Sequence, residues 1–351
     1  MKIWFNRWFT TVLHFIEMIR ENPDRRKVKI YGTHPNKDAL YLQYCDFSYV
    51  EPDISGTEYI AYCLEFCKVH GIHIFVPHKE NVLIAKHLDD FEAIGVKVLV
   101  SNDVHLMETL ENKSAAYRMF SNNCLNGTKN FTIPEYYVVN NLEEFKKSYL
   151  MLREQGHMVC FKPVIGEGAK GFRVIKDEIE TIDQLFNWSS GYRISYRNAC
   201  EILSQQEYFP DLMVMEYLDG VEYSIDCLAS SEQLFAAIPR MKGEGRVREL
   251  VESHELIQIA QQFYQQYKLP YVFNIQVKYK NNIPKLLEIN PRMSGGMHIS
   301  CLSGINIPYL AIKILLGEKI EYPKPQFGIR ASYIEKELIL KNGVRHHKKT
   351  I

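Results

Sequence analysis

Hydrophobic and polar positions along the first hundred residues predict strands that alternate with helices. Residues 72–76 (IHIFV) and 96–100 (VKVLV) are short apolar runs rich in β-branched side chains, as expected of buried strands. Residues 59–70 and 82–94 repeat apolar positions at helical spacing, and a glycine follows each stretch, as is common at helix ends. Strands separated by helices predict a parallel, doubly wound sheet, so residues 1–105 are expected to form an α/β domain.

The first strand of this domain lacks a feature of dinucleotide-binding folds. Asn6-Arg7-Trp8 stands where such folds have a glycine-rich turn for a pyrophosphate. We therefore expect no working dinucleotide site in residues 1–105. Asn6, Arg7 and His14 also interrupt the apolar N-terminus, which is interpreted as a strand and an amphipathic helix and not as an export signal.

The pattern after residue 105 predicts a second, sheet-rich domain, residues 106–351. Its predicted helices cover 105–122, 141–154 and 253–267, and its predicted strands cover 136–139, 158–161, 172–175, 212–217, 222–229, 234–239, 271–279 and 284–289. Residues 280–282 (KNN) separate the last two strands and predict a hairpin turn.

Composition narrows the function classes. Lys and Arg number 42, and so do Asp and Glu, which leaves no net charge to favour nucleic acid or an anionic membrane surface. No stretch approaches the roughly 20 apolar residues of a membrane span.

The eight cysteines form no CxxC pair, so reduced thiols and a cytoplasmic location are expected. Cys63 and Cys67 with three nearby histidines could hold a metal, but their spacing fits no zinc pattern well.

A glycine-rich segment carries the first candidate site residues. Residues 166–171 (GEGAKG) match GxGxxG, yet they join two predicted strands instead of a strand and a helix, which argues against a dinucleotide fingerprint. Glycines let backbone N–H groups close over phosphates, and Lys162 just before them could add a positive charge. The alternative is a mobile surface hairpin with a solvated lysine. The candidates are Lys162, Gly166, Glu167, Gly168, Ala169 and Gly171.

The strand that runs into residues 216–218 (EYL) could bind a nucleoside. Backbone groups there could pair with an adenine edge, and the Glu222 carboxylate could accept both ribose hydroxyls. Taken alone, this segment is better explained as a β-turn with an acidic rim.

The strongest signal is the segment 286–292 (LLEINPR), with Gln276 on the preceding strand. The two-residue period of a strand places Glu288, Asn290 and Arg292 on one face. Mg²⁺ prefers carboxylate and amide oxygens completed by substrate phosphates, and a guanidinium beside them suits a transferring phosphoryl group. A solvated polar face would not explain the leucines and the isoleucine around these groups, because unpartnered buried charges are costly.

Two other segments could contact a second substrate. Residues 239–248 (PRMKGEGRVR) are basic and contain glycine, and we hypothesise a mobile loop whose Arg240 meets an anionic acceptor or the γ-phosphate. A solvated loop is the alternative. Residues 294–296 (SGG) and His298 could shape a substrate pocket, although a packed histidine is the simpler interpretation.

In chain order, these motifs resemble those of the ATP-grasp superfamily, most closely the ATP-binding halves of carbamoyl-phosphate synthase large chains and related carboxylate-amine ligases. The resemblance covers essentially the whole chain. It implies an α/β architecture in which a doubly wound pre-ATP-grasp domain (residues 1–105) precedes an ATP-grasp domain (106–351) with a small lid subdomain at about 130–212.

The resemblance also implies roles. Lys113 and Lys162 would contact ATP phosphates or the adenine pocket, residues Glu216, Tyr217 and Leu218 would line the adenine, and Glu222 would bind the ribose. Gln276 and Glu288 would hold Mg²⁺ (or Mn²⁺), with Asn290 on a second ion. Arg292 would stabilise the transferred phosphoryl group or the acyl phosphate. Together with Asn290 and the separately proposed Arg240, it is a candidate catalytic residue.

Two departures from the family pattern limit the reaction. Asn112 precedes Lys113 where many members have Asp, and residues 293–298 (MSGGMH) replace the Val-Glu-His type continuation of biotin carboxylases, which argues against biotin carboxylation. We expect an ADP-forming ligase that activates a small-molecule carboxylate as an acyl phosphate for attack by an amine or a thiol, with a homodimer as a possible assembly. Phosphoryl transfer to a hydroxyl, or nucleotide binding without turnover, are the alternatives.

Overall fold

The computed structural model describes residues 1–122, 132–166, 168–176, 192–340 and 345–346. Within these ranges the chain forms two compact units. Unit 1 comprises Met1–Glu108, Glu222–Gln276 and Ile289–Ile351, and unit 2 comprises Thr109–Val221 and Val277–Glu288. The predicted domain boundary at 105 and the lid boundaries at about 130 and 212 stay predictions.

The described strands and helices follow the predicted order closely. The strands are β1 (Lys2–Asn6), β2 (Lys29–His34), β3 (Phe47–Val50), β4 (Ile74–Val76), β5 (Lys97–Val98), β6 (Tyr136–Val139), β7 (Val159–Pro163), β8 (Arg173–Ile175), β9 (Arg193–Ile194), β10 (Leu212–Glu216), β11 (Glu222–Ala229), β12 (Leu234–Lys242), β13 (Arg248–Leu250), β14 (Tyr271–Lys280), β15 (Ile283–Asn290), β16 (Arg330–Ala331) and β17 (Arg345–His346). The helices are α1 (Val12–Arg20), α2 (Gly56–His70), α3 (Asn81–Lys86), α4 (Leu88–Ala93), α5 (Val104–Glu111), α6 (Lys113–Asn122), α7 (Leu142–Glu154), α8 (Tyr196–Leu203), α9 (His254–Tyr267), α10 (Met297–Ser300) and α11 (Ile307–Leu315).

Two predicted helices are each divided in two. The stretch 82–94 breaks at His87 into α3 and α4, and the stretch 105–122 breaks at Asn112 into α5 and α6. At the second break the Asn112 Oδ1 atom accepts a hydrogen bond from the Ala115 N–H at 3.0 Å, so Asn112 caps a new helix. The apolar period continues through both breaks, which is why the pattern alone predicted single helices.

The N-terminal sheet of unit 1 confirms the predicted parallel, doubly wound topology. Its strand order is β17-β3-β2-β1-β4-β5, and all its pairs are parallel. Residues of β1 alternate between two cores: Ile3 and Phe5 pack with helix α1, whereas Trp4 stacks on Phe75 with ring centroids 4.1 Å apart. Burial on both faces is what a parallel sheet requires.

A second sheet has the order β15-β14-β11-β12-β13-β16. Strands β11 and β12 pair antiparallel, with Ser224 opposite Arg240 and Glu222 opposite Lys242. The predicted hairpin between β14 and β15 is confirmed, since Asn281 and Asn282 both have positive φ angles, 51° and 60°, as a tight hairpin turn needs.

Unit 2 contains a five-stranded sheet with the order β6-β10-β7-β8-β9. Its strand β10 pairs antiparallel with β6 and β7. Val214 faces a core with Phe145 and Phe161, while Met213 and Met215 face the opposite core with Tyr117. The strand β10 is therefore fixed on both faces up to Glu216.

No single helix in the described ranges is long and apolar enough to cross a membrane. Residues 297–303 and Ile307–Leu315 pass this test only as a pair, and that pair is bent by 95°.

Candidate functional site

The end of β10 is held by a buried carboxylate. Glu216 is 1% exposed, and its side chain accepts hydrogen bonds from Lys280 Nζ at 2.7 Å, from Lys285 Nζ, and from the Glu135 N–H at 2.9 Å. Burial would raise the pKa of Glu216, but the hydrogen bonds from the two lysines and the backbone lower it below its ordinary value. The Glu216 side chain is thus engaged by protein groups.

The backbone of the residues after Glu216 is held in place by neighbouring groups. Leu218 is buried, Tyr217 lies under Lys278 Nζ at 5.1 Å from the ring centre, and the Gly220 N–H donates to the Tyr279 carbonyl at 3.1 Å. A Cβ atom at Gly220 would lie 2.4 Å from that carbonyl oxygen, so only glycine fits. Any adenine contact from Glu216, Tyr217 and Leu218 would come from this fixed backbone.

Lys113 and Lys162 lie in the same unit as the glycine-rich segment. The Lys113 Nζ atom, on a side chain that is largely buried, donates to the Gly166 carbonyl at 2.6 Å. Lys162 Nζ lies 3.5 Å from the Leu287 carbonyl and 5.7 Å from the centre of the Tyr117 ring. The structure therefore places one predicted lysine at the base of the segment and the other beside β15.

The glycine-rich segment joins two strands, as predicted. Strands β7 and β8 pair antiparallel on either side of it, so it is not the strand-to-helix turn of a dinucleotide site. Gly168 and Gly171 have φ angles of 58° and 74°, and a Cβ at Gly171 would lie 2.7 Å from the Pro163 ring. Ala169 is exposed, and Glu167 lies outside the described residues.

The predicted metal ligands lie on two strands that are neighbours in sheet order. Gln276 is on β14, and Glu288 and Asn290 are on β15; all three are half-buried, while the alternate residue Ile289 is buried. Burial alternates as predicted from Glu288 to Asn290, whereas Leu287 is half-buried like Glu288. Mg²⁺ is coordinated by carboxylate and amide oxygens, so the side chains of these residues have ligand atoms suited to this ion. No group of three or more His, Cys, Asp or Glu side chains in the described ranges is arranged to hold a metal ion.

Two further predicted site residues lie in unit 1. Arg292 follows β15 directly, and its Nη1 atom donates to the Met293 carbonyl at 3.2 Å. Glu222, the predicted ribose ligand at the start of β11, accepts a hydrogen bond from Lys242 Nζ. Ribose binding through the Glu222 carboxylate would have to share it with Lys242 or displace that amine.

The structure corrects the predicted surroundings of Arg240. Residues 239–242 are not a mobile loop, because they belong to β12 and pair with β11 and β13; the connection is limited to the turn around residues 244–246. The basic and glycine residues suggested a loop, but pairing on both sides keeps the strand extended. Arg240 is 3% exposed and forms a salt bridge to Asp226 at 3.2 Å.

Sequence reasoning missed the group that holds Arg240. Asp226 is completely buried, and besides Arg240 it accepts hydrogen bonds from Ser294 Oγ, Ser300 Oγ and Asn274 Nδ2 at 2.6–2.8 Å. One signal was available: Asp226 is a single acid within the apolar strand EYSIDCLA, and a buried acid needs partners.

His298 is a packed histidine in this structure. Its ring stacks on His14 with centroids 4.5 Å apart, and its edge meets Tyr333 at 5.9 Å. Burial, helped by the nearby His14 and Arg240, lowers the pKa of His298 to about 4. The ring is therefore neutral at neutral pH.

Comparison with known proteins agrees with this architecture. The chain superposes on N5-carboxyaminoimidazole ribonucleotide synthetase from Thermus thermophilus with a TM-score of 0.61 at 11% identity, over 92% of this chain and 80% of that one. The L-amino acid ligase from Bacillus licheniformis gives a TM-score of 0.61 at 14% identity, over 90% and 74%. The biotin carboxylase domain of a thermophilic 2-oxoglutarate carboxylase gives 0.55 at 14%, over 94% and 73%. No curated protein matches the sequence.

These similarities establish the fold, which is that of the ATP-grasp enzymes. A model of the family described as "ATP-grasp in the biosynthetic pathway with Ter operon" matches residues 208–337, the part that carries β10 to β16. The chain has this fold, with a doubly wound sheet ahead of it in the sequence, as the motifs predicted.

Proposed function

We propose that the protein is an ADP-forming ligase that activates a carboxylate substrate as an acyl phosphate, which an amine or another nucleophile then attacks. The observation that carries the proposal is the alternation on β15, where Glu288 and Asn290 are half-buried on one face and Arg292 follows directly. Oxygen donors next to a guanidinium suit the transfer of a phosphoryl group.

The proposed reaction has two balanced steps. A carboxylate oxygen attacks the γ-phosphorus of ATP, the bond from that phosphorus to the bridging oxygen breaks, and ADP leaves. The nucleophile then attacks the acyl carbon, and inorganic phosphate leaves. Arg292 would stabilise the negative charge of the transferred group, as positioning and charge neutralisation are the main devices of phosphoryl transfer.

The remaining residues would bind ATP and the ions. Gln276, Glu288 and Asn290 would hold Mg²⁺ or Mn²⁺, which neutralises phosphate charge. Lys113, Lys162 and residues 166–171 would contact the phosphates, and the Glu216–Leu218 backbone would meet the adenine. Glu222 would accept the ribose hydroxyls. Arg240 is assigned a different role below, because its donors point at protein groups.

The solved structures that share this fold include a ribonucleotide synthetase and an L-amino acid ligase, which favours ligation over transfer to a hydroxyl. From the balanced charge, the cysteine pattern and the family resemblance, we propose small-molecule substrates, a cytoplasmic location and a homodimer as a possible assembly. The acceptor could be an amine or a thiol.

The test is ADP and hydroxamate formation with Mg-ATP, hydroxylamine and a panel of carboxylic acids that includes the amino acids. Hydroxylamine traps an acyl phosphate whatever the natural acceptor is. One acid should give a hydroxamate, and Glu288→Ala should lower the rate at least about a hundredfold if a metal ligand is lost. The control Glu318→Gln, which removes an ion pair with Arg26 in unit 1, should keep full activity.

Two outcomes would contradict the proposal. A stable phosphate ester with a hydroxyl substrate would show kinase chemistry. Tight Mg-ATP binding without ADP formation for any acid, amine or hydroxyl tested would favour a nucleotide-binding regulatory protein.

A further inference from the structure

A buried polar cluster in unit 1 gathers residues from four separate parts of the chain. It consists of Asp226, Arg240, Asn274, Ser294 and Ser300, and is called the Asp226 cluster below. Its five members are all at most 8% exposed. They come from β11, β12, β14 and the segment that follows Arg292.

Asp226 accepts a hydrogen bond from every other member of the cluster. Its Oδ1 atom accepts from Asn274 Nδ2 at 2.8 Å and from Ser294 Oγ at 2.7 Å, and its Oδ2 atom accepts from Ser300 Oγ at 2.6 Å and Arg240 Nη2 at 3.2 Å. A buried carboxylate with four donors is fully satisfied and strongly fixed in place.

Arg240 completes the cluster from the other side. Its Nε atom lies 3.3 Å from Ser300 Oγ and its Nη2 atom 3.5 Å from Ser294 Oγ. A Cβ at Gly296 would lie 2.5 Å from Arg240 Nη1, so the guanidinium packs directly against that glycine. The side chain of Arg240 is thus enclosed by the 294–300 segment.

The held segment begins immediately after the proposed phosphoryl-transfer residues. Ser294 is two residues from Arg292 and four from Asn290, and Met293 between them is buried. Within the segment the Met297 N–H donates to the Ser294 carbonyl at 3.1 Å, and the Ile299 N–H to the Gly296 carbonyl at 3.0 Å. The two serine hydroxyls that bind Asp226 therefore bracket a short, internally bonded turn.

We propose that Asp226 is a positioning residue that acts through Ser294, Ser300 and Arg240 to fix residues 293–300, and through them the side chains of Asn290 and Arg292. The inference rests on the proposed function for its catalytic consequence. It assigns Arg240 to support of this segment in place of the predicted contact with an anionic acceptor.

Hydrogen exchange measured by mass spectrometry on the full chain tests the positioning directly. In Asp226→Asn, Ser294→Ala and Ser300→Ala, peptides that cover 293–303 should exchange at least about tenfold faster, because the turn loses its anchor. Peptides from β1 and β2 in the same unit should not change. The serine variants keep the test available if Asp226→Asn fails to fold.

The chain offers a matched control for the serine variants. Ser303 is also completely buried, only three residues beyond Ser300, yet its Oγ has no hydrogen-bond partner among the described residues. Ser303→Ala should leave exchange in 293–303 unchanged. Asp24→Asn, which removes an acid bonded to Lys313 and Tyr309, is the control for the charge change.

Turnover in the hydroxamate assay tests the catalytic consequence. Ser294→Ala and Ser300→Ala should lower kcat about tenfold or more while the Kd of Mg-ADP stays within about twofold, since a positioning loss acts on the transition state. Arg240→Lys should lower kcat and leave the KM for the carboxylate and for the acceptor unchanged.

The two readouts separate this inference from the proposed function. Unchanged exchange in all three variants overturns the inference even if the wild type is an active ligase. Faster exchange with an unchanged kcat would contradict the proposed effect of the cluster on catalysis. A changed KM in Arg240→Lys alone would show that Arg240 contacts a substrate. A wild type without turnover would refute the proposed function, while the exchange result would still decide whether Asp226 fixes the segment.

Discussion

Two buried carboxylates, Glu216 in unit 2 and Asp226 in unit 1, are neutralised differently. Glu216 in unit 2 is bonded by two lysines and a backbone N–H. Asp226 in unit 1 is bonded by one arginine, two serine hydroxyls and an asparagine. Both carboxylates are satisfied, but only the second depends on a single cation.

The two carboxylates also differ in what they connect. Lys280 and Lys285 lie on either side of the β14–β15 turn, so Glu216 secures one hairpin to the end of β10. Their side chains retain 17% and 18% exposure and can reach water. Asp226 and Arg240 are sealed, and their partners are up to 74 residues away in sequence. A buried carboxylate with two cations that reach water tolerates change, whereas a sealed pair with one cation does not.

The largest effect is therefore expected from removal of the single cation. Arg240→Met keeps much of the side-chain volume but leaves Asp226 buried with neutral donors only. We expect a loss of about 3–5 kcal/mol in the free energy of unfolding, the range for breaking a buried ion pair. Urea unfolding followed by fluorescence measures it. The double variant Arg240→Met with Asp226→Leu should recover part of the loss, and a double variant as unstable as the sum of the two singles would argue against the pair.

Removal of the other carboxylate should cost less. Glu216→Gln leaves two lysines that can turn toward water, so we expect a loss of about 2 kcal/mol, within the range for an unsatisfied polar group. The same urea titration measures it. The exposed pair Glu143–Lys146 supplies the control, because Glu143→Gln should change the stability by less than about 0.5 kcal/mol. A loss for Glu216→Gln equal to that of Arg240→Met would refute the distinction between the two carboxylates.

Gly220 and Gly296 extend the comparison between the two units. A Cβ at Gly220 in unit 2 meets the Tyr279 backbone carbonyl, whereas a Cβ at Gly296 in unit 1 meets the Arg240 side chain. Because backbone yields less than a side chain, we expect Gly220→Ala to cost about 2 kcal/mol and Gly296→Ala about 1 kcal/mol. Thermal unfolding of both variants measures the order. Arg240→Lys should reduce the cost of Gly296→Ala and leave that of Gly220→Ala unchanged, since only the first pair is in contact.

Most of the fold followed from the sequence because its elements are strongly periodic. Strands β6 and β11 have the predicted bounds, and burial alternates as predicted from Glu288 to Asn290 in β15. The breaks at His87 and Asn112 were missed because apolar spacing continues across them. At Asn112 a single side-chain cap makes the difference, and the same residue was noted only as a departure from the family pattern.

The candidate site was less predictable where it depends on tertiary pairing. The glycine-rich segment 166–171 and the neighbouring Lys162 could be identified from the sequence because they form one short motif. Arg240 was assigned to a loop because charge and glycine near it outweighed its place on a strand, and the Asp226 cluster was missed because its members are up to 74 residues apart. A lone acid in an apolar strand identifies one member of such a cluster, but sequence alone does not show which distant residues become its donors.

The smallest expected effect concerns the histidine that lies on the Asp226 side of unit 1. His298 faces the His14 ring, Arg240, Asp226, the Tyr333 ring and the Gly295 backbone. Burial first, and then His14 and Arg240, lower the pKa of His298 to about 4 from its ordinary value of 6.5. A lowered histidine pKa means that the folded state favours the neutral ring, so its contribution is present above pH 6.5 and is lost as the pH falls toward 4.

We therefore expect acidification from pH 7.5 to pH 5 to destabilise the wild type more than His298→Gln, by about 1 kcal/mol, which corresponds to roughly 2 °C in Tm for a chain of this size. Each variant is compared with its own Tm at pH 7.5, so the loss of the stacked ring cancels. His254→Gln, which changes an exposed histidine at the start of α9, should keep the wild-type pH dependence. Glu216 is not expected to add to this pH dependence. Because its pKa is lowered, its contribution to stability falls only when the pH drops below the ordinary pKa of a glutamate. Equal pH dependence in the wild type and His298→Gln would show that the ring is already accessible to protons, and that the unit 1 cluster is less sealed than its burial indicates.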